Sequence, residues 1–106
     1  MFILAGCAQP SPLPPPPLVL DGIPVYGRVY DVPKSQIRVA IAEDQRLSPP
    51  RDKVYSIEVV NRSELHIYHT ARNKRLEEYN VLRRVHGRWE AGERMVSGSA
   101  LLVPTQ

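Results

Sequence analysis

Hydrophobic and polar side chains alternate along two neighbouring segments in the middle of this chain. Val54 to Val60 carries apolar side chains at every second position, and Glu64 to Thr70 repeats the pattern. A period of two residues places the apolar side chains on one face of a β-strand. The pattern predicts an antiparallel pair with a three-residue loop, Asn61 to Ser63, because that loop sets Val59 opposite Leu65 and keeps the apolar face continuous.

A second hairpin is predicted around His86-Gly87. The flanking segments, Glu77 to Val85 and Arg88 to Met95, each supply a strand. Gly87 provides the positive φ that a two-residue turn requires. Such a turn sets Arg84 opposite Trp89, so that the guanidinium can stack on the ring, and we expect Trp89 in the core. A final short strand or an ordered tail is predicted from Ser99 to Val103.

A helical period replaces the strand period between Asp31 and Leu47. Apolar side chains there recur at the spacing of one helix face, which is expected to pack on the core: Pro33, Ile37, Ala40, Ile41 and Leu47. We expect Asp31 to cap the helix, with Pro33 in its first turn, and the prolines after Ser48 to end it. Val25 to Tyr30 is predicted as a short strand before the helix.

These elements predict an α+β fold in the order β-α-β-β-β-β. Each element has one apolar face, so packing one helix on a small curved antiparallel sheet buries all of them. The outline resembles that of the cystatins. A length of 106 residues, with 42% hydrophobic and 24% charged residues, allows one small domain, placed at residues 25–106. It excludes a multidomain enzyme and a wholly disordered chain.

Proline is concentrated before this domain. The chain has 11 prolines, and the densest run extends from Pro10 to Pro17. Proline fixes φ and lacks a backbone donor, so the run is expected to form a polyproline II helix. We interpret residues 8–24 as a Pro-rich tether. A stand-off spacer is favoured over a ligand for an SH3-type groove, because the tract directly follows a candidate anchor.

The four residues Leu4-Ala5-Gly6-Cys7 resemble the lipobox of bacterial lipoproteins. The resemblance implies cleavage before Cys7, a diacylglycerol thioether on its thiol and, since Ala8 follows, sorting to the periplasmic face of the outer membrane. A complete signal peptide has a basic start and a longer apolar stretch, so residues 1–7 are interpreted as a truncated signal peptide that begins upstream. The alternative hypothesis is an accidental match in a cytoplasmic protein.

The predicted domain is basic. Lys and Arg total 14 against 11 Asp and Glu, a net charge of +3, and all the basic residues lie from Arg28 to Arg94. This excess suits an anionic surface but is weak support for nucleic-acid binding. The candidate contacts with an anionic surface are Arg72, Lys74, Arg75, Arg84 and Arg88. A solvated sheet edge explains the same residues and is favoured, because acidic residues are interspersed among them.

The polar face of the first hairpin carries the candidate chemistry. Glu58, Glu64, His66 and Tyr68 fall on that face and form a candidate polar patch, which is either a binding or acid–base site or a solvated strand face. No nucleophile–base motif or phosphate loop accompanies them, so no catalytic residue and no cofactor are predicted. His66 and His69 point to opposite faces of a strand, so no metal site is predicted.

The sequence therefore favours a non-enzymatic lipoprotein of the cell envelope, anchored in the lipid bilayer through Cys7, that binds or scaffolds an unidentified protein partner. Two alternatives stay open. One is a cytosolic basic domain that binds nucleic acid, which ranks lower because few aromatic side chains are free to stack on bases. The other is a small ligand-binding or enzymatic domain with a pocket between helix and sheet. The oligomeric state is left open.

Overall fold

A six-stranded mixed sheet with one α-helix on one of its faces makes up the part of the chain that the computed structural model describes, residues 14–47, 53–72 and 76–98. The helix is α1 (Lys34–Leu47). The strands are β1 (Leu18–Leu20), β2 (Ile23–Gly27), β3 (Ser56–Asn61), β4 (Glu64–Tyr68), β5 (Leu76–Val85) and β6 (Arg88–Gly98). They lie side by side in the order of the sequence. The predicted α+β class with one helix is confirmed.

The sheet is not purely antiparallel, and that part of the prediction is wrong. β2 runs parallel to β3, with Val25 opposite Ile57 and Gly27 opposite Val59, whereas the other neighbours are antiparallel. The chain leaves β2, crosses the face of the sheet as α1 and returns to the end at which β2 began. A helical crossover of this kind joins parallel neighbours, whereas antiparallel neighbours can be joined by a short turn.

A strand that the sequence analysis did not predict lies at the edge of the sheet beside β2. Leu18 pairs with Val25 and Leu20 with Ile23, so the stretch from Leu18 to Pro24, interpreted as tether, forms a hairpin instead. Asp21 and Gly22 make its turn with φ of 52° and 82°. An Asp-Gly pair is a common signal for this turn. Leu20 is buried in the core, and this burial explains why the segment folds against the domain.

The helix begins later than predicted. β2 ends at Gly27, a short 3-10 helix covers Val29–Asp31, and α1 starts at Lys34. Asp31 is not the cap, since its carboxylate binds the Arg28 guanidinium at 2.7 Å. The carbonyl of Pro33 instead accepts the first helical hydrogen bond, from the Ile37 backbone NH at 3.0 Å.

The core lies between α1 and the face of the sheet that α1 covers. Its central side chains are fully buried and come from both layers: Val25, Ile37, Ala40, Ile57, Leu65, Ile67 and Leu82. The helix buries Ile37, Ala40 and Ile41 as predicted, but the next position of that stripe is Asp44. Leu47, predicted for the core, is 55% exposed, because the stripe that packs on the sheet ends one turn earlier.

The predicted strand registers are confirmed. Val59 lies opposite Leu65, and Arg84 lies opposite Trp89. The first turn is nevertheless two residues long, since Asn61 pairs with Glu64 and a bulge lies between Val59 and Asn61. The bulge takes up the extra residue, so the predicted three-residue loop is wrong although the register that it was chosen to give is right.

Trp89 is buried as predicted, but it does not stack with Arg84. The indole is 5% exposed, and its Nε1 donates to the Gln36 side-chain oxygen at 3.1 Å. This hydrogen bond joins β6 to the first turn of α1 and satisfies the polar atom of a core ring. Arg84 is left exposed to solvent.

Gly27 is expected to be indispensable for the parallel pairing. Its φ is +83°, and a Cβ atom there would overlap the backbone carbonyl oxygen of Val59. Gly22 has a similar φ, +82°, but open space around it, so Gly22→Ala is the matched control. We expect Gly22→Ala to lower the free energy of unfolding by about 1–2 kcal/mol through backbone strain alone. Gly27→Ala should lower the free energy of unfolding by about 1–3 kcal/mol more than Gly22→Ala does.

Urea denaturation of both variants measures the difference. Equal losses for Gly22→Ala and Gly27→Ala would show that the Val59 carbonyl does not restrict position 27.

Candidate functional site

The four residues of the candidate polar patch do lie on one face of the sheet, the outer face that points away from α1. Glu58 is opposite His66 on the neighbouring strand. Glu64 and Tyr68 lie two residues to either side of His66 on β4, so all four side chains leave the sheet in the same direction. The strand pairing therefore brings together the residues that alternation assigned to the polar side.

Within this patch, His66 is held by Glu64. The two side chains are separated by 2.6 Å between Nε2 and Oε2, and both are partly buried. The ring of His66 also stacks on Tyr79 of β5, with 4.7 Å between the ring centroids. Glu64 lies within 3.8 Å of the Arg83 guanidinium as well. His66 is thus oriented by two neighbours, Glu64 and Tyr79, and its Nε2 is engaged with a carboxylate.

Arg72 belongs to the polar patch, although the sequence analysis placed it with the basic surface. Its Nη1 donates to Glu58 at 3.1 Å, and its guanidinium lies 4.4 Å from the centre of the Tyr68 ring. Burial raises the pKa of Tyr68, and the positive charge of Arg72 partly opposes this rise. Only 20% of the Arg72 side chain is exposed, because Glu58 and Tyr68 hold it against the sheet.

Tyr79 is a member of the patch that sequence reasoning missed. Its ring lies between His66 and Tyr68, at 4.7 Å from each ring centre. The signal was the register of β4 on β5, which sets Tyr68 opposite Tyr79. No turn motif in the sequence fixes the length of the loop between β4 and β5. The register of this strand pair therefore could not be worked out by counting residues, as it was for the two tight hairpins.

A second polar cluster, the buried cluster of Asp44, His69 and Asn80, lies between α1 and the sheet. His69 Nε2 is 2.9 Å from Asp44 Oδ2, and Asn80 Nδ2 donates to Asp44 Oδ1 at 2.7 Å. The Asp44 side chain is 0% exposed and that of His69 2%. The burial of His69 agrees with its predicted place at the edge of the apolar face. Asp44 was missed because hydrophobic periodicity does not count a charged residue, although its spacing from Ile37 and Ile41 marks the same face.

The hydrogen-bond partners of the buried cluster define its charge. His69 Nδ1 faces the Lys53 backbone carbonyl at 3.0 Å, which can only accept, so this nitrogen carries a hydrogen. A further hydrogen lies between His69 Nε2 and the carboxylate of Asp44. The pair is therefore neutral as a whole, which removes most of the cost of burying a lone charge. Because both side chains are enclosed, the pair is placed to stabilise the packing of α1 on the sheet.

An open groove of about 300 Å³ lies on the helix side of the sheet, between α1 and the turn from β1 to β2. Its lining is part apolar and part charged: Asp21, Ile23, Arg38, Ile41, Ala42 and Gln45. Arg38 donates to Asp21 across the groove at 2.9 Å, and this bond lowers the pKa of Asp21. The groove and the polar patch lie on opposite faces of the sheet, so the two do not form one site.

The end of the sheet that carries the turns Arg62–Ser63 and His86–Gly87 is named here the turn end. The two turns touch, since the Arg84 backbone NH donates to the Ser63 carbonyl at 2.9 Å. Arg62, Arg84 and Arg88 are exposed there. Arg84 and Arg88 are two of the predicted anionic-surface contacts. Of the other three, Arg72 belongs to the polar patch, and Lys74 and Arg75 lie outside the described residues.

The N-terminal features also lie outside the described residues, including the lipobox and Cys7, as does the predicted strand from Ser99 to Val103. Within residues 14–47, 53–72 and 76–98, no three His, Cys, Asp or Glu side chains are grouped so as to hold a metal ion. The helix in this part of the chain is too short and too polar to cross a bilayer. The chain matches no protein-family model, no curated protein and no solved structure.

Removal of the Asp44 carboxylate is expected to destabilise the fold far more than removal of its neighbour. Asp44→Ala leaves the polar groups of His69 and Asn80 buried without their partner, so the free energy of unfolding should fall by about 3 kcal/mol. Glu43→Ala on the same helix removes only an exposed pair with Arg46 and should leave the free energy of unfolding almost unchanged. Urea unfolding compares the two, and equal losses would contradict the role given to Asp44.

Glu93 is expected to stay ionised in acid because of Arg83. The hydrogen bond from the Arg83 guanidinium, 2.7 Å long, is the main cause that lowers the pKa of Glu93 from 4.5 to about 2. Since the folded pKa is below the unfolded one, this contribution to stability is present above pH 4.5 and is lost as the pH falls through about 2.

Carboxyl chemical shifts in an NMR titration measure this pKa. Arg83→Gln should return it towards 4.5, whereas Arg84→Gln, the control next to it in the chain, should leave it low. A low Glu93 pKa in the Arg83→Gln variant would refute the assignment.

Proposed function

We propose that this protein is a membrane-anchored lipoprotein of the bacterial cell envelope whose α+β domain is a non-enzymatic binding or scaffolding module. The observation that carries the proposal is the sequence Leu4-Ala5-Gly6-Cys7 followed directly by a proline tract that ends at Pro17. The first strand of the domain begins at the next residue, Leu18. A thiol for acylation, a stiff spacer and a folded body follow one another in the order that attachment to a bilayer requires.

The length of the spacer supports this arrangement. Between Cys7 and Leu18, a polyproline II conformation would span up to about 30 Å. β1 is an edge strand of the sheet, and Pro14, Pro15 and Pro17 before it are exposed. The spacer can therefore leave the domain without crossing the core, and the domain can fold in the same way whether or not Cys7 is acylated.

The state of the ionisable side chains favours binding over catalysis. His66 is engaged by Glu64, and Arg72 is engaged by Glu58. The pair of Asp44 and His69 is enclosed by the helix. A general acid or base must reach a substrate, whereas a binding module needs only a shaped and charged surface. The polar patch on the outer face offers such a surface to a protein partner.

The location follows from the same resemblance. Ala8 after Cys7 favours the periplasmic face of the outer membrane. The position of one helix on one face of the sheet supports a cystatin-like outline for the domain, although β1 and the parallel pair of β2 and β3 depart from a simple antiparallel meander.

Lipid labelling tests the anchor. The gene is expressed in a bacterium together with its upstream region, and the cells are grown with radioactive palmitate. We expect label on the protein, recovery in the outer-membrane fraction, and loss of both in Cys7→Ser. Ala8→Asp is the matched control, since it leaves the thiol in place and should keep the label while changing the membrane fraction. An unlabelled protein that keeps Met1 would overturn the proposal.

A further inference from the structure

Three arginines at the turn end lack the carboxylate partner that other arginines of the fold have. Within the described residues, Arg62, Arg84 and Arg88 form no ion pair. Six others are each paired with an acidic side chain: Arg28, Arg38, Arg46, Arg72, Arg83 and Arg94. Three guanidinium groups without an ion pair among the described residues therefore stand at one end of the sheet.

The three side chains arise from two adjoining turns. The hydrogen bond from Arg84 to the Ser63 carbonyl holds the tip of the second hairpin against the turn that contains Arg62. Arg88 lies across the same tip, paired in register with Val85. His86, also exposed, lies between them in the turn. Arg84 shares the helix-side face with Trp89, and Arg88 leaves the sheet on the other face, so the two cations flank the tip of one hairpin beside the turn that carries Arg62.

The nearest carboxylates do not neutralise this end. Glu64 is occupied by His66. Glu43 receives two hydrogen bonds from Arg46, which lower its pKa, with a smaller effect from the charge of Arg88. Glu90, opposite Arg83 in the sheet, forms no ion pair within the described residues and offsets only part of the charge at this end. The guanidinium groups of Arg62, Arg84 and Arg88 are therefore left to bind an outside anion, and their planar forks match the oxygens of a phosphate.

The direction of the chain brings the N-terminal segment to this same end. β3 runs towards the turn end, β2 is parallel to β3, and β1 is antiparallel to β2. β1 therefore runs away from the turn end, and the described residues that precede it, 14–17, enter the sheet from that side. A chain held at a bilayer through Cys7 would present its turn end to the lipid headgroups.

We propose that the turn end is a binding surface for anionic phospholipid headgroups, with Arg62, Arg84 and Arg88 as its phosphate contacts. The placement of this surface at a bilayer rests on the proposed function, whereas the binding itself needs no acyl chain. Phospholipid is favoured over nucleic acid by the direction of the incoming chain. The indole of this hairpin, Trp89, is also buried in the core and cannot stack on a base.

The test uses the full chain with Cys7→Ser, so that acylation cannot contribute. Its partition is measured by co-sedimentation with vesicles of phosphatidylcholine alone and with vesicles that also contain phosphatidylglycerol. We expect binding only to the acidic vesicles and a steep loss as salt is added. Equal binding to both kinds of vesicle would overturn the proposal.

Two triple variants locate the surface. Arg62→Gln, Arg84→Gln and Arg88→Gln together should lower the partition by up to about 100-fold, since each basic residue near an acidic surface contributes about fivefold. Arg38→Gln, Arg46→Gln and Lys53→Gln together remove the same charge from other parts of the domain. This control triple should lower the partition by only about 10-fold. Similar losses in both triples would show a nonspecific effect of net charge and refute the surface.

Folding and competition controls complete the design. Circular dichroism is recorded for every variant. If the triple variant unfolds, Arg84→Gln alone, which leaves Arg62 and Arg88 in place, is measured instead. It should lower the partition about fivefold. Tighter binding to a DNA or RNA duplex than to acidic vesicles, lost in the same triple, would replace phospholipid with nucleic acid and overturn the proposal.

The two proposals fail separately. A chain that binds acidic vesicles through these arginines but takes no palmitate contradicts the anchor alone. If the chain takes the palmitate label but the variant with Arg62→Gln, Arg84→Gln and Arg88→Gln binds acidic vesicles as well as the parent does, only the lipid surface is contradicted.

Discussion

A carboxylate on the inner face of α1 meets an imidazole on the sheet, and the position of the helix depends on this contact. Apolar side chains such as Ile37 and Ile41 pull the helix onto the sheet, but they would accept several rotations or shifts. The pair of Asp44 and His69 allows only one position of the helix, because both side chains are enclosed and each is the hydrogen-bond partner of the other. The hydrophobic effect thus drives the packing, and the buried cluster selects among the ways to achieve it.

The outer face and the turn end divide the charged surface into two chemical environments. On the outer face, each cation described has an acidic partner close by, as Arg72 has Glu58 and Arg83 has Glu93. Such pairs compensate one another and give the face little net field. At the turn end, arginines stand without partners, so the field extends outwards and can attract an anion before contact. The outer face therefore suits recognition by shape. The turn end suits orientation of the domain towards an anionic surface.

Strand pairing was predictable wherever a short turn allowed residues to be counted. Alternation placed Val59 opposite Leu65, and the His86-Gly87 turn placed Arg84 opposite Trp89. The parallel pairing of β2 with β3 was not predictable in this way, because the helix between them hides the register. The β1 hairpin was missed because the prolines around it outweighed the Asp21-Gly22 turn signal. Asp44 was missed because hydrophobic periodicity does not count a charged residue, and its pairing with His69, distant in sequence, gave no local signal to correct this.

The hydrogen bond from the His69 ring to the Lys53 carbonyl has a topological consequence. Through Asp44 and His69, the end of α1 is fastened to the start of the returning chain, so the covalent link from Leu47 to Lys53 is duplicated by a non-covalent one. A chain opened between Leu47 and Lys53 would therefore keep a side-chain link, through Asp44 and His69, close to its two new ends.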